Sequence, residues 1–412
     1  MRRLLIILAV VVLVVAGAVA AYVVHRLRQV GDVRGSSTVE YSTATAKPPR
    51  PVEHVEWPMY GFDSARTRSV PSLLRPPFRT LWTYPAHSLV EFPPSIGYGR
   101  LYFSTNAGVF YAVNERTGRR AWRFDSHRCV AASPAVSPSG SVFMAFLNHP
   151  PCNPSAGAAG LDGEVVRFAA GFGHVLWRTR VGPTESSPLL LGRRVYVGDW
   201  NGDVWALDGR NGRVLWRFHT GGPVKGGIAY SGGRLYVGSY DGRLYCLSTK
   251  GTLLWSAAGQ GNFAHGGAFY ATPAVAHGRV YVGSTDGKEY SFGAVSGKLR
   301  WSHHTGGYVY SSTAVWRDLV LVGSYSQRFY AFDAATGDTR WSFHANGPIS
   351  GSPTVLGGIV YFSTLNRRTY ALDARTGTEL WTFPNGKYSP AVAANGRLFL
   401  VGYGTIYAMV PR

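Results

Sequence analysis

Eight tryptophans recur along this chain at a spacing close to 40 residues. The successive gaps are 40, 55, 39, 39, 46, 40 and 40 residues, and similar runs surround each tryptophan. A repeat of this length with four strand-like runs is typical of one blade of a β-propeller. We interpret the tryptophans as the large side chains that pack between blades: Trp82, Trp122, Trp177, Trp216, Trp255, Trp301, Trp341 and Trp381.

The repeat unit is clearest between residues 352 and 381. Four runs rich in β-branched and aromatic residues cover 352–355, 358–363, 369–373 and 380–383. Each run is long enough for a strand and too short for a helix. Asn-Gly and Asp-Gly pairs between the second and third runs predict type I′ hairpin turns: Asn201-Gly202, Asp241-Gly242 and Asp286-Gly287.

The two ends of the repeat region complement each other. The last repeat stops at Arg412 before any tryptophan, whereas residues 78–84 form a Trp82-bearing strand with no earlier strands of its own. We expect this early strand to complete the last blade and close the ring. The predicted fold class is therefore all-β: an eight-bladed propeller of four-stranded antiparallel blades, covering residues 57–412 and preceded by one transmembrane helix.

The N-terminal residues predict a membrane anchor and a linker. Leu4 to Val24 is an apolar run of 21 residues, and about 20 residues of helix span a hydrocarbon core. We favour an uncleaved transmembrane signal-anchor over residues 1–28. A cleavable signal peptide is the alternative, because residues 18–20 resemble a cleavage site. Residues 29–56, rich in Ser, Thr and Pro, predict a flexible linker. The predicted location is the cell membrane, with the propeller on the extracytoplasmic side.

The three cysteines give limited information on the compartment. Cys129 and Cys152 bracket an insertion in the second repeat. A disulfide between them would suit an oxidising compartment, and two unpaired thiols are the alternative. Cys246 lies within a strand and is interpreted as a small buried apolar residue.

A formal net charge of +20 raises the question of nucleic-acid binding. The arginines are dispersed at equivalent turn positions, as in Gly99-Arg100 and Gly396-Arg397, and no basic run with interleaved aromatic residues occurs. This pattern does not predict a specific nucleic-acid groove. It is compatible with weak attraction to anionic lipid or cell-wall polymer.

A motif within the repeat resembles a known family. The pattern Ala-x-Asp-x-x-Thr-Gly-x-x-x-Trp occurs at residues 331–341 and 371–381. It resembles the pyrroloquinoline-quinone-type (PQQ-like) propeller repeat of the quinoprotein alcohol dehydrogenase-like superfamily. Residues 57–69 are similar to the segment that opens the propeller of quinoprotein alcohol dehydrogenases.

The resemblance implies one of two functional kinds. Quinoprotein dehydrogenases hold the quinone over the ring centre with an adjacent-cysteine disulfide, calcium and a catalytic aspartate. Non-catalytic members, such as the propeller subunit of the outer-membrane β-barrel assembly machinery, bind proteins. This chain has no Cys-Cys pair, and we find no acidic trio placed to hold calcium. It also lacks a cysteine in the first hundred residues for lipid attachment. We therefore favour the non-catalytic kind, without PQQ.

A binding site is expected where the loops into the innermost strands meet the central opening. One residue per repeat, three positions before the Ser-Pro proline or its equivalent, should face that opening. Six of these residues are our candidates for a ligand or partner rim, and solvated loop residues are the alternative interpretation: Glu91, Glu185, Lys225, Tyr270, Tyr310 and Lys387. The remaining two positions hold Ala131 and Ser350.

Other chemistry-bearing residues do not predict catalysis. His265 lies in a glycine-rich loop without a second ligand, and His303 and His304 point in alternating directions on a strand. The Ser-Pro serines recur in most repeats, whereas an active serine would occur once, beside a base. We predict no metal site and a monomeric binding scaffold with an unidentified protein or cell-envelope partner. A PQQ-binding oxidoreductase and anionic cell-wall polymer binding are the alternatives.

Overall fold

Eight blades of four antiparallel strands surround a central axis in the computed structural model, and the short strand β1 (Ser69–Val70) adds a fifth strand to the sheet of blade 7. It describes residues 2–43, 53–152, 161–261, 266–388 and 391–412, and for residues 2–9 and 25–29 it describes the backbone alone. The first strands of neighbouring blades contact one another around the axis. The predicted all-β, eight-bladed propeller of antiparallel blades is confirmed.

The helix and the strands follow one another in a regular order. Helix α1 spans Arg2–Val30, and strands β1 (Ser69–Val70) and β2 (Phe78–Pro85) precede the first blade. Blades 1 to 4 each comprise four consecutive strands: β3 (Ser95–Gly97), β4 (Arg100–Ser104), β5 (Val109–Asn114), β6 (Arg120–Asp125); β7 (Ala135–Ser137), β8 (Ser141–Phe146), β9 (Gly163–Ala169), β10 (Val175–Val181); β11 (Leu189–Leu191), β12 (Arg194–Gly198), β13 (Asp203–Asp208), β14 (Val214–His219); β15 (Ala229–Ser231), β16 (Arg234–Gly238), β17 (Arg243–Ser248), β18 (Leu253–Ala258).

Blades 5 to 8 continue in the same way, except that the last is completed from the N-terminal side. Blade 8 contains only three consecutive strands and takes β2 as its fourth. The strands are β19 (Ala274–Ala276), β20 (Arg279–Gly283), β21 (Lys288–Gly293), β22 (Leu299–His304); β23 (Ala314–Trp316), β24 (Leu319–Gly323), β25 (Arg328–Asp333), β26 (Thr339–His344); β27 (Thr354–Leu356), β28 (Ile359–Ser363), β29 (Thr369–Asp373), β30 (Glu379–Phe383); β31 (Ala391–Ala394), β32 (Arg397–Val401), β33 (Thr405–Pro411).

Ring closure occurs in blade 8 as predicted. Strand β2 pairs antiparallel with β33, in a register that runs from Phe78 opposite Pro411 to Pro85 opposite Thr405. The edge of Phe78 also packs on Trp381 of blade 7, at 5.4 Å between ring centroids. The two chain ends of the propeller thus form one sheet, in which β2 is the fourth and outermost strand.

Most of the repeated tryptophans tie one blade to the next. In seven of the eight, the indole Nε1 donates to a backbone carbonyl of the following blade at 3.0–3.3 Å: Trp82, Trp122, Trp177, Trp216, Trp255, Trp301 and Trp341. The turn between the third and fourth strands of the receiving blade packs a glycine on the indole. Gly337 is one example: its φ is +78°, and a Cβ added to it would lie only 2.8 Å from the indole of Trp301. These contacts explain why tryptophan and glycine recur together.

The hairpin turns between the second and third strands differ from the predicted type I′. Gly202, Gly242 and Gly287 have φ values of +89°, +79° and +87°, but the residue before each of them does not have a positive φ. A type I′ turn needs a positive φ at both central residues, whereas a type I turn followed by one left-handed glycine needs it once. The glycine was therefore correctly predicted and the turn type was wrong.

Residues 54–70 run along the inner edges of the blades. The middle residue of the first strand in six blades donates its backbone N–H to a carbonyl of this segment, at 2.6–2.9 Å: Ile96 to Trp57, Val136 to Pro58, Tyr230 to Ser64, Val275 to Ala65, Val315 to Thr67 and Val355 to Arg68. Strand β1, at the end of the segment, pairs in parallel with β27. The segment satisfies N–H groups that would otherwise lie unpaired at the centre of the ring.

Two arginines of this segment, Arg66 and Arg68, are buried at the ring centre. Arg66 is fully buried and donates to the carbonyl oxygens of Tyr60, Ile228, Ser187 and Pro188. Desolvation lowers the pKa of its guanidinium to about 9. These hydrogen bonds link the N-terminal segment to blades 3 and 4 and compensate for the burial of the charge.

Residues 31–43, part of the predicted flexible linker, lie against the outer edge of blade 5. Val33 and Ser302 exchange two backbone hydrogen bonds of 3.1 and 2.9 Å. A Cβ added to Gly35 would lie 3.0 Å from Cδ1 of Trp301. The propeller holds this stretch in place, contrary to the expectation of a free tether. Residues 44–52 of the predicted linker lie outside the described residues.

Helix α1 contains the apolar run that predicts a membrane anchor. Residues 10–15 of this helix have exposed side chains. A membrane span requires about 20 consecutive apolar residues. Over the part of the chain that the structure describes, no helix combines the length and the apolar character that this demands. The predicted transmembrane helix is therefore not confirmed.

Cys129 and Cys152 form a disulfide, with their Cα atoms 5.4 Å apart. The bridge joins the segment that precedes β7 to the insertion between β8 and β9, of which residues 153–160 lie outside the described residues. Of the two alternatives, a disulfide or two unpaired thiols, the disulfide is therefore the one observed. Cys246 is a free thiol and fully buried within blade 4, and burial raises its pKa to about 12.

Candidate functional site: the central cavity

A cavity lies at the ring centre on the face formed by the loops that enter the innermost strands. It contains about 460 Å³ of space that opens to solvent at its mouth. The walls come from seven interblade connections and the floor from the N-terminal segment: Tyr60, Glu91, Phe92, Glu185, Ser187, Lys225, Gly226, Gly227, Tyr270, Thr272, Tyr310, Ser312, Ser350, Gly351, Ser352 and Tyr388.

Five of the six candidate rim residues line this cavity: Glu91, Glu185, Lys225, Tyr270 and Tyr310. Lys387 does not line it. Its ammonium group lies 5.2 and 5.3 Å from the ring centroids of Tyr388 and Tyr403. Of the two other rim positions, Ser350 lines the cavity and Ala131 does not. The repeat register therefore brings most of these residues together, and their role in binding remains a prediction.

Glu185, Lys225 and Trp200 form a fixed polar cluster in one wall. The Lys225 ammonium lies 3.1 Å from the Glu185 carboxylate, and Trp200 Nε1 donates to the same Oε1 at 2.8 Å. The ammonium also lies over the Trp200 ring, 4.1 Å from its centroid. Burial raises the pKa of Glu185 although Lys225 and Trp200 act against this rise. Three side chains therefore restrain one another before any partner binds.

Glu91 carries the most useful titratable group of the site. Its pKa is raised to about 7, first by burial and then by the negative charge of Glu185, while Lys387 acts in the opposite direction. Like charges near a shared cavity disfavour double ionisation. The net charge of the cavity therefore changes close to neutral pH.

An arc of tyrosines continues the wall from blade 3 towards blade 6. Tyr270 packs edge-on against Tyr240 and Tyr310, with centroids 6.2 and 5.0 Å apart, and Tyr310 packs on Tyr325 at 5.1 Å. Burial and the nearby glutamates raise the pKa of Tyr270 well above its usual range. Its hydroxyl is therefore a neutral hydrogen-bonding group on an otherwise apolar surface.

Several aromatic residues that pack against the predicted rim residues were not predicted, although a signal for them exists. Trp200, Tyr240, Tyr325 and Tyr403 each occupy the second position of the loop between the second and third strands of a blade. Aligning these loops by the repeat register reveals an aromatic residue in four blades. The prediction considered only the loops that lead into the innermost strands, and so it omitted the second set of loops on the same face.

The serines and threonines of the cavity floor have a structural role. Four of their hydroxyl groups accept a hydrogen bond from a backbone N–H of the preceding blade, as in Thr272 N to Ser312 Oγ (3.0 Å) and Ser312 N to Ser352 Oγ (2.9 Å). Ser133 N to Ser187 Oγ repeats the arrangement at 2.9 Å. These bonds connect successive strand entries, which is the role that the recurrence of the serines indicated.

The histidines do not contribute to the cavity. The His303 ring packs on Phe332, with centroids 4.6 Å apart, and the backbone N–H of His304 donates to Asp32. His265 lies outside the described residues. Within the described ranges no group of three or more His, Cys, Asp or Glu side chains is arranged to hold a metal ion.

Comparison with known sequences gives partial matches to two kinds of protein. The chain is 27% identical to the outer membrane protein assembly factor BamB of Burkholderia pseudomallei over 131 residues, which cover 31% of this chain and 33% of that protein. It is 26% identical to the tetrathionate hydrolase of Acidithiobacillus ferrooxidans over 181 residues, covering 39% and 36%. These alignments span about a third of the length of the curated relatives.

Solved structures share the fold at low sequence identity. BamB from Moraxella catarrhalis matches with a TM-score of 0.64 and 17% identity, over 81% of this chain and 100% of that chain. The quinohemoprotein alcohol dehydrogenase of Comamonas testosteroni matches with a TM-score of 0.71 and 15% identity, over 86% and 80%. The sequence also matches the family described as outer membrane protein assembly factor BamB at residues 79–149, 156–225, 201–315 and 304–411. These matches cover most of the propeller, and the chain therefore belongs to this PQQ-like β-propeller family of the quinoprotein superfamily.

Proposed function

We propose that this protein is a non-catalytic binding module of the cell envelope and that a segment of a partner protein enters its central cavity. The carrying observation is the wall of the cavity, where Glu185, Lys225 and Trp200 restrain one another beside the tyrosine arc. Tyrosine and tryptophan provide large contact areas at a low cost in conformational entropy. The similarity to proteins named as outer membrane protein assembly factors supports a protein-binding role.

The cell-envelope location is supported by two observations. BamB relatives are outer membrane assembly factors by name, and the Cys129–Cys152 disulfide suits an oxidising compartment. Attachment through residues 1–28 remains a prediction of the sequence. Membrane fractionation of cells that express the full chain or a chain without residues 1–28 tests it. Equal release of both into the soluble fraction would contradict the anchor.

Site-specific crosslinking in intact cells tests partner binding. Tyr308, 46% exposed, packs on Tyr310 beside the cavity mouth, and a photoreactive residue at its position should give a crosslinked adduct. We expect the double substitution Lys225→Ala and Lys387→Ala to abolish that adduct, because it removes both ammonium groups that flank the cavity.

A matched control removes two lysines from the opposite face. Lys250 and Lys298 are exposed in turns between third and fourth strands, and Lys250→Ala with Lys298→Ala should leave the adduct unchanged. An adduct that persists in the cavity variant at the level of this control would refute the proposal.

A quinone-dependent oxidoreductase is the second candidate, because quinohemoprotein alcohol dehydrogenases share the fold. The cavity residues fit a calcium–quinone pair poorly: Lys225 already neutralises the Glu185 carboxylate. Adding pyrroloquinoline quinone and calcium to the purified protein distinguishes the two functions. Bound-quinone absorbance together with dye reduction by alcohols would favour the oxidoreductase.

A further inference from the structure

Four arginines line a groove between blades 2 and 3, on the face opposite the central cavity. The groove contains about 340 Å³ of space. Arg193 comes from the turn before β12, Arg194 is the first residue of β12, Arg210 comes from the turn after β13, and Arg167 from β9. None of the residues that line it is acidic: Ser137, Ser139, Phe143, Arg167, Leu190, Gly192, Arg193, Arg194, Val195, Gly209 and Arg210.

Arg167 makes this blade junction different from the others. It lies in register opposite the blade tryptophan Trp177, a position at which other blades carry a small residue, such as Ala331 opposite Trp341. Arg167 Nε donates to Ser141 Oγ at 2.9 Å, and its Nη1 donates across the junction to the carbonyl oxygen of Arg210 at 2.8 Å. A long cationic side chain is therefore held at a position where the other blades carry only a small side chain.

The partner strand changes together with Arg167. Several blades carry a tyrosine opposite the small residue, and its hydroxyl donates to the next blade, as in Tyr236 to the carbonyl oxygen of Ala294 at 3.1 Å. Blade 2 has Phe143 at that register, opposite Arg167. Arg167 takes over the interblade hydrogen bond and adds a charge.

The positive charge of the groove has no counterpart. Among the described residues no carboxylate forms an ion pair with any of its four arginines. The side chain of Asp208, close in sequence, accepts a hydrogen bond from the backbone N–H of Arg210. Arg193, Arg194 and Arg210 are exposed. Arg194 Nη1 donates to the carbonyl oxygen of Thr249 in blade 4 at 3.2 Å, whereas the guanidinium groups of Arg193 and Arg210 remain accessible to a ligand.

We propose that this groove is a binding site for a phosphate group. Guanidinium groups donate paired hydrogen bonds to oxyanions in a geometry that matches phosphate. The Arg167 side chain is already held by Ser141 and by the backbone carbonyl of Arg210, which lowers the cost of arranging this part of the site. The phosphate is either a free anion or the headgroup of an anionic lipid. The proposal is independent of the central cavity, because the groove lies at the opposite ends of the strands.

The test compares two triple variants of the full-length protein in detergent at constant ionic strength. The groove variant carries Arg193→Gln, Arg194→Gln and Arg210→Gln. The control removes the same charge from exposed turns of blades 1 and 7, with Arg116→Gln, Arg119→Gln and Arg375→Gln. Inorganic phosphate is titrated by calorimetry, and co-sedimentation is measured with phosphatidylglycerol and phosphatidylcholine vesicles.

The groove variant should bind about tenfold or more weakly than the control, because it loses several charge-assisted hydrogen bonds. Loss of phosphate binding in the calorimeter identifies a site for the free anion. Loss confined to phosphatidylglycerol vesicles identifies a lipid headgroup site. Equal affinity of the two variants for both probes, or no binding of either probe by the wild type, would overturn the proposal.

Discussion

Replacing Glu91 by glutamine should stabilise the protein at alkaline pH and have little effect under acidic conditions. The folded protein raises the pKa of this carboxyl from 4.5 to about 7, so it binds the proton more tightly than the unfolded chain does. The resulting stabilisation is fully present below pH 4.5 and is lost as the pH rises through 7. Glutamine has no charge and lacks this dependence.

The size of the effect follows from the pKa difference. A rise from 4.5 to about 7 corresponds to about 3 kcal/mol between the two protonation states. The advantage of Glu91→Gln should therefore be under about 1 kcal/mol at pH 5 and approach about 3 kcal/mol at pH 8.5. For a propeller of roughly 350 residues, about 3 kcal/mol corresponds to an increase of about 4 °C in Tm.

The measurement is the Tm difference between variant and wild type across this pH range. Glu379→Gln is the control for the loss of one carboxylate, because Glu379 is exposed on the outer strand β30. A Glu91→Gln difference that stays constant from pH 5 to pH 8.5 would refute the assigned pKa. A difference that shrinks as the pH rises would show that the Glu91 carboxylate stabilises the cavity.

Three further substitutions test the packing of the ring. Gly337→Ala should lower the free energy of unfolding by about 2 kcal/mol or more, since a Cβ would overlap the indole of Trp301. Gly396 has φ +72° and open space around it, so Gly396→Ala should cost only about 1 kcal/mol. Equal losses of the two variants in denaturant titration would contradict the packing argument. Cys152→Ser should cost about 2–4 kcal/mol, and addition of reductant to the wild type should reproduce this loss. Arg66→Met should destabilise by about 3 kcal/mol, because four buried carbonyl oxygens lose their donor, and a neutral effect in thermal unfolding would show that water replaces the guanidinium.

The candidate site was predictable where it follows the repeat. Glu185, Lys225 and Tyr310 occupy the same register position in three blades, and this register directs them to the ring centre. The contacts between them were not predictable, because each depends on the distance between loops of neighbouring blades. Lys387 illustrates the difference. It shares the register but does not line the cavity, and its ammonium group lies near the rings of Tyr388 and Tyr403.

The hydrogen bonds of the N-terminal segment were not predicted, although residues 57–69 resemble the segment that opens the propeller of quinoprotein alcohol dehydrogenases. Residues 54–70 contain no periodic pattern, and their backbone carbonyls accept hydrogen bonds from six blades spread over some 260 residues, from Ile96 to Val355. Local sequence carries no signal for bonds of this kind, because the acceptors are backbone atoms that every residue has. The same reason applies to residues 31–43, whose composition indicated a linker although they lie against blade 5.

The tryptophan period was sufficient to predict the blade count and the closure of blade 8 by β2, because each repeat buries its faces only against its neighbours. The Arg167–Phe143 pair shows what required the tertiary structure. In the sequence it is a departure from the repeat, and only the packed blades show that Arg167 reaches Arg210 and joins an unneutralised groove. Periodicity determines which residues share a position, whereas the spacing between blades decides which of them meet.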